Sequence, residues 1–391
     1  MVSKGNVDFR KTSIQHWHRH MSTSTWPGLQ TIVQREELLL APYAMHSKDS
    51  TGRQHPEPDH LYRGPFQRDR DRILHSAAYR RLADKTQVFT GQGDYHRTRL
   101  THTLEVASIA RTIGRALRLN EDLIEAMAMV HDIGHPPFGH AGEEALHECL
   151  LEDGGFSHNQ YALCLVQELE IRYEHFPGLN LTREVLEGQS SRIDKTTASP
   201  TLLEAQVVDA ADSITYDSHD VDDAVQLNLL TMDELLESPM VREAARRVKE
   251  RSALPHDQQL RKAIVHELID WQVSNMLEWC SHNLKQDCPP NSEAARKLPF
   301  QIGPDDELTK LKTGLEQFLH QRVYRHERLI KVRRLAQDQL REMFDQFQKH
   351  PELLPVKFQN RIQQCGLRHS IGNYLAGMTD RYFQQQYQQL T

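Results

Sequence analysis

Apolar side chains return every three or four positions through most of the chain. Leu104, Ile109, Ile113, Ala116 and Leu117 draw one such stripe and predict a helix over 101–119. A second helix, rich in alanine and methionine, is predicted over 121–130. It must stop at His131-Asp132, because Gly134 and the pair Pro136-Pro137 cannot carry it further. The helical pattern resumes over 141–151 and returns at 158–172, 200–217 and 256–284. Residues 308–391 read as three or four more helices, parted by the stretch HPELLP and by Gly366. Period-two alternation is scarce and no internal repeat is present, so the predicted class is all-α.

The joints of this pattern divide the chain. Residues 1–54 read as mostly flexible apart from a short amphipathic piece at 34–40. The first 35 are set aside as a flexible segment that includes the cluster His16, His18 and His20. A helical core is expected over 36–284, a linker over 285–307 (KQDCPPNSEAARKLPFQIGPDDE), and over 308–391 a C-terminal helical region packed on the core.

Composition narrows the class. The 391 residues are 38% hydrophobic and 26% charged, with a formal charge of −7, so no global basic drive pulls the chain toward nucleic acid or membrane. No apolar run approaches the roughly 20 residues of a membrane span, and the polar N-terminal stretch lacks the apolar core of a signal peptide. Five scattered cysteines, without a CxxC pair, fit a reducing compartment, and a cytoplasmic location is expected. Locally the balance changes. Between 61 and 99, nine basic residues meet only four acids. That is either a solvated helical face with ion pairs or a pocket for a polyanion inside an acidic protein.

The chemistry concentrates in residues 131–143, HDIGHPPFGHAGE, which pack three histidines, an aspartate and a glutamate into one proline-broken bend. His131 and Asp132 are adjacent at a helix end; on a regular helix they would diverge by about 100°, but a turning backbone lets both aim at one ion. His102 lies on the preceding predicted helix and Asp212 inside the later helical run EAQVVDAADSITY. Imidazoles and carboxylates without thiolate suit a divalent ion such as Mg, Mn, Fe, Co, Ni or Zn. His140 and Glu143, three apart at a helix start, can share a face. Arg99 stands three before His102, and Tyr216 and Asp220 stand four and eight after Asp212, so each set can line one helical face.

The pattern of a histidine, an HD pair and a later aspartate resembles the HD-domain metal phosphohydrolases. The surrounding blocks RDRDRILHSAAYRRLADKTQVF, RTRLTHTLEVASIAR, HDIGHPPFGHAGEEAL, GGFSHNQYAL, GLNLTREVLEG, EAQVVDAADSITYDSHDVDDA and YLAGMTDRY resemble, in the same order, the bacterial deoxyguanosine triphosphate triphosphohydrolase-like proteins. The resemblance runs from about residue 36 to the end. It implies an HD-domain helical bundle with additional C-terminal helices, and a metal-dependent hydrolysis of dNTPs to deoxynucleoside and inorganic triphosphate. It implies His102, His131, Asp132 and Asp212 as metal ligands and His135, His140, Glu143 and His158 as polar catalytic positions, with His140 and Glu143 as a dyad. It further implies Arg99 as a phosphate-binding arginine, with Gln87, Tyr216 and Asp220 near the sugar.

The physical chemistry agrees. A divalent ion acidifies a bound water and neutralises an α-phosphate oxygen, so metal-bound hydroxide is the expected attacker. The 5′ alkoxide needs a proton, and either His140 or His158 can supply it. A carboxylate on the 3′ hydroxyl and a ring beneath C2′ would disfavour ribonucleotides. The resemblance also brings a homo-oligomer, often a hexamer, a dNTP activator and single-stranded DNA into view as partners, and no membrane. Two other readings of the same residues stay open: another HD-domain nucleotidase or phosphodiesterase, or a non-catalytic binder of nucleotides or single-stranded DNA.

Overall fold

The computed structural model describes residues 31–60, 62–87, 97–193, 201–251 and 257–390. The cluster His16, His18 and His20 lies outside these residues. Among the described residues there are eighteen α-helices and no strand, only three isolated bridges. The all-α expectation holds.

Three helices make the frame of the main core: α1 (Arg99–Ala116), α2 (Glu121–Val130) and the long helix Leu203–Gln226. Thr98 caps α1 by accepting the amide of Thr101, and Asn120 caps α2 by accepting that of Leu123. The start of α2 is further tied down, because Asn120 Nδ2 also donates to the carbonyl of Met45. Leu123, Ile124, Ala126 and Ala128 of α2 are fully buried, each of the larger two contributing about 1.5–3 kcal/mol. The buried face of α1 shares Ile113 with the predicted stripe and differs from it at Leu104. It runs through His102, Thr103, Val106, Ala110 and Ile113, while Leu104 is 48% exposed. α1 packs between α2 and the 203–226 helix, and the face between them is the one that must also deliver His102.

After the bend follow α3 (Gly139–Cys149) and α4 (His158–Cys164). The latter widens into a π-helical turn over Leu165–Leu169 and stops there, so the helix expected over 158–172 is shorter. The long helix Leu203–Gln226, α5, runs past the predicted end at 217. The C-terminal region has five helices rather than three or four: α6 (Asp306–Leu319), α7 (Glu327–Lys349), Val356–Cys365, α8 (Leu367–Ala376) and α9 (Asp380–Leu390). Thr379 starts the additional one by accepting the amide of Tyr382, an interruption invisible to apolar spacing.

These helices divide between two cores. Leu340, Met343, Phe344, Phe347, Leu375 and Phe383 join the main core. Leu308, Leu315, Leu319 and Val323 join a smaller one with Val221, Met240, Val241, Ile264 and Leu268. Residues 288–305 connect them, with Ala295 and Ile302 buried against the main core.

The expected flexibility of residues up to 54 is corrected over the described part. A helix spans Ile32–Leu39, started by a capping box between Thr31 and Gln34. Ala41, Ala44 and Met45 are buried beyond it. Two carboxylates hold this segment: Glu204 accepts the amide of Met45 at 2.8 Å, and Glu184 accepts the amide and hydroxyl of Thr51 at 2.6 and 2.7 Å. Distant partners of this kind leave no periodic trace.

Most of the excess arginines between 61 and 99 are paired with acids from elsewhere in the chain. Arg68 and Arg72 bind Glu57, Arg70 binds Asp122 and Glu125, and Arg97 binds Asp222 and Asp223. Over these residues the ion-paired reading prevails.

Candidate active site

The four predicted ligand side chains converge. His102 arrives from the first turn of α1, His131 and Asp132 from the end of α2, and Asp212 from α5. His102 Nε2 lies 3.0 Å from Asp212 Oδ1, and His131 Nε2 lies 3.5 Å from Asp132 Oδ1 and 3.6 Å from Asp212 Oδ1. Ligand atoms about 2.0–2.2 Å from one ion stand about this far apart. The imidazole of His131 is oriented for the task. Its Nδ1 contacts the carbonyl of Ala128 at 2.6 Å and so carries the proton, while its buried Nε2 has no hydrogen-bond partner among the described residues. An orphaned lone pair beside two carboxylates fits a cation. His102, His131 and Asp132 also form a compact donor triad for a metal ion.

Both aspartates are held as carboxylates. Burial opposes ionisation of Asp132, but the rings of His135 and His131 and the Arg99 guanidinium overcome it, leaving its carboxyl well below the usual range. Burial likewise opposes ionisation of Asp212, and His131 and Arg192 hold it well below. Arg192 donates to Asp212 Oδ2 and, at 2.6 Å, to Asp209. Sequence reasoning missed Arg192, whose stretch SSRIDK carries no motif.

Two glycines let the bend close. A side chain at Gly134 would overlap the carbonyl of His158 and the amide of Ala162, so its absence lets α4 lie against the bend. Gly139 has φ +58°, and a Cβ there would crowd the Arg99 guanidinium. This approach stacks the His135 and His158 rings at 3.7 Å between centroids. Burial and the neighbouring Arg99 push His135 well down.

Glu143 sits between two histidines. Its Oε1 is 2.8 Å from His158 Nδ1 and accepts the His158 amide at 2.9 Å, while His140 Nδ1 is 3.4 Å from Oε2. The carboxylate therefore engages His158 more closely than His140, its expected dyad partner. Burial opposes the charge on Glu143, but the hydrogen bonds from both histidines hold its carboxyl far below the ordinary value. His140 is half exposed.

Arg99 is 1% exposed. Its guanidinium donates to Asp132 Oδ2 at 2.8 Å and to the Gln87 carbonyl at 3.2 Å, so it reaches a carboxylate of the cluster directly. The Gln87 side-chain Oε1 is buried without a partner among the described residues.

Asp212 also lines a cavity of about 400 Å³ together with Tyr216, Asp220, His320 and Tyr324. The Tyr324 hydroxyl lies within hydrogen-bond reach of both Asp220 Oδ2 and the Tyr216 hydroxyl, its one proton serving one of them at a time, and the two tyrosine rings are parallel within 5°. Burial raises the Asp220 carboxyl well above the usual range, against the Tyr324 hydroxyl. Its Oδ1 is buried and has no partner among the described residues. Tyr324 lies in a π-helical turn over His320–Tyr324 that follows α6. Sequence reasoning missed it. The only signal was an aromatic at a helix end, and π-turns of this kind mark functional positions.

A helical bundle that gathers imidazoles and carboxylates from three helices around one cation position, beside a nucleotide-sized cavity, defines an HD-type phosphohydrolase. Comparisons agree. Residues 99–217 match the family described as HD domain, and residues 302–389 match the Phosphohydrolase-associated domain. The deoxyguanosinetriphosphate triphosphohydrolase-like protein of Leptospira interrogans is 39% identical over 374 residues, covering 92% of this chain and 98% of the relative. Those of Nitrosomonas europaea and Ralstonia pickettii are each 39% identical, over 365 residues (90% of this chain, 97% of the relative) and 360 residues (88% and 92%). The chain belongs to the deoxyguanosinetriphosphate triphosphohydrolase-like family of HD-domain hydrolases. No helix among the described residues is long and apolar enough to cross a membrane.

Proposed function

We propose that the chain hydrolyses deoxynucleoside triphosphates, dGTP among them, to the deoxynucleoside and inorganic triphosphate. The observation that carries this reading is the junction of the His102–His131–Asp132–Asp212 cluster with the cavity that ends in Tyr216, Asp220 and Tyr324. His102, His131, Asp132 and Asp212 would hold a divalent ion, which would supply Lewis acidity toward the phosphate and lower the pKa of water.

The chain's own residues do the rest. Arg99 keeps Asp132 oriented and adds positive charge where the triphosphate must sit. Arg192 does the same for Asp212. His158 protonates the departing 5′ oxygen, and Glu143 orients its ring and stabilises its protonated form. The 2.8 Å contact of Glu143 with His158, against 3.4 Å with His140, favours His158 for this role. His140, half exposed beside the same carboxylate, contacts the polyphosphate. His135 is stacked on His158, and it fixes that ring's plane.

Asp220 accepts the 3′ hydroxyl with its free Oδ1. The Tyr216 ring lies under C2′, where a 2′ hydroxyl would meet an apolar face, and Gln87 Oε1 completes the sugar contacts. Hydrolysis is tested with each dNTP, singly and in mixtures, with Mg, Mn, Co or Ni, reading phosphate products by ion chromatography. Inorganic triphosphate with an intact deoxynucleoside is the expected result. Orthophosphate or pyrophosphate as first product contradicts the reading, and equal turnover of GTP and dGTP contradicts the sugar contacts.

A further inference from the structure

The catalytic bend is gripped from the far end of the chain. Between His135 and Phe138 stand Pro136 and Pro137, which have no N–H to give. Across the proline pair the bend is anchored through its carbonyls and through the amide of Phe138. Lys85, 3% exposed, donates from Nζ to the carbonyl of His135 and, at 3.0 Å, to that of Ala376, the last residue of α8. Asp380, the first residue of α9, accepts the amide of Phe138 at 3.1 Å and that of Thr86 at 3.0 Å. The Phe138 ring meets that of Phe383 edge-on at 5.1 Å. Phe138 holds φ +64°, a conformation that an L-residue keeps only when its surroundings impose it. Finally, the Lys85 carbonyl accepts the amide of Arg99 at 3.0 Å, so the residue that holds His135 also sets the start of α1.

We infer that Lys85 and Asp380 are positioning residues, through which the C-terminal helices set the place of His135 and the entry angle of α3, the helix that carries His140 and Glu143. A lysine buried against two carbonyls is an expensive way to fill space; a methionine would fill it without desolvating an amine. What the amine adds is a fixed distance between α8 and the bend. Asp380 adds a second fixed distance, at Phe138, the residue immediately before α3 begins. The two contacts flank the proline pair, so the bend has no freedom to pivot. This inference rests on the reading of Glu143, His140 and His158 as the groups that meet the phosphate and move the proton.

The test compares Asp380→Asn and Lys85→Met with the wild-type chain. Asn keeps the size of Asp380 but points an N–H at one of the two amides. The expected result is a kcat lower by about 10- to 100-fold, the size of effect that a misplacement near 1 Å produces. KM for the nucleotide should stay within about twofold and the bound-metal stoichiometry should be unchanged. Amide hydrogen exchange in the peptide spanning 135–143 should be faster, a readout independent of activity. A folded, metal-loaded Asp380→Asn chain with wild-type kcat and wild-type exchange overturns the inference. So does a variant that fails to fold or loses its metal, because the contact would then be serving stability alone. Glu143→Gln measured alongside separates the two claims. If it keeps full activity, the reading of the site fails; if it is impaired while Asp380→Asn is not, the clamp fails and the site reading stands.

Discussion

Replacing Glu143 with glutamine isolates the carboxylate's contribution to proton transfer. The side chain accepts from the ring of His158 at 2.8 Å and from its backbone amide at 2.9 Å, with His140 at 3.4 Å. Glutamine keeps one oxygen for the backbone amide, so the local fold should survive. It presents an N–H₂ or a neutral carbonyl to the ring instead of a charge. A hydrogen bond to a charged, part-buried partner is worth about 1.5–3 kcal/mol. If that stabilisation is realised in the transition state, kcat falls by about 10- to 150-fold. The assay is steady-state release of inorganic triphosphate from pH 6 to 9, with metal content measured on the same samples. A metal-loaded Glu143→Gln chain with kcat within twofold of wild type across that range refutes the proton-transfer argument.

Tyr324→Phe removes the hydroxyl that joins Tyr216 to Asp220; the ratio of kcat/KM for dGTP over GTP should fall about 3- to 20-fold, and an unchanged ratio would exclude Tyr324 from sugar selection. The fully buried Lys85 titrates at about 7 rather than 10.5, because burial lowers it. Between these values the unfolded chain binds the extra proton, so folding stability rises with pH through that window. Urea titrations from pH 7 to 10 should show that rise, up to a few kcal/mol, in the wild type and not in Lys85→Met; parallel profiles would contradict it. Leu340 is fully buried where α7 meets α3, and Leu340→Ala should cost about 2–5 kcal/mol in urea denaturation, a loss below 1 kcal/mol showing that the two helices are not tightly packed there.

The candidate ligand set was legible because its chemistry is local in type. An HD pair at a helix end broken by glycine and prolines, a histidine on the preceding helix and an aspartate in a later one point to a cation without knowledge of the packing. Helix existence was legible for the same reason, since apolar period and proline punctuation act over short distances. What escaped acts across the chain. Tyr324 reaches Asp220 and Tyr216 from a π-turn about a hundred positions away. Lys85 meets His135 and Ala376 through carbonyls that every residue carries. Glu184 and Glu204 anchor residues 45–51, which read as flexible by composition. Of the predicted stripe Ile113 and Leu117 are buried but Leu104 is exposed, because periodicity cannot tell which face of a helix must serve a polar site.

The account turns on one cation position. Crystals of the chain grown with Mn and measured at an anomalous wavelength locate it directly. The prediction is a single strong peak per chain, about 2.0–2.3 Å from nitrogens of His102 and His131 and oxygens of Asp132 and Asp212, lost in His131→Ala. Two other donor triads lie close by, Asp132–His135–His158 and His135–His140–Glu143. A peak at either of these instead, with none among the four proposed ligands, would contradict the account.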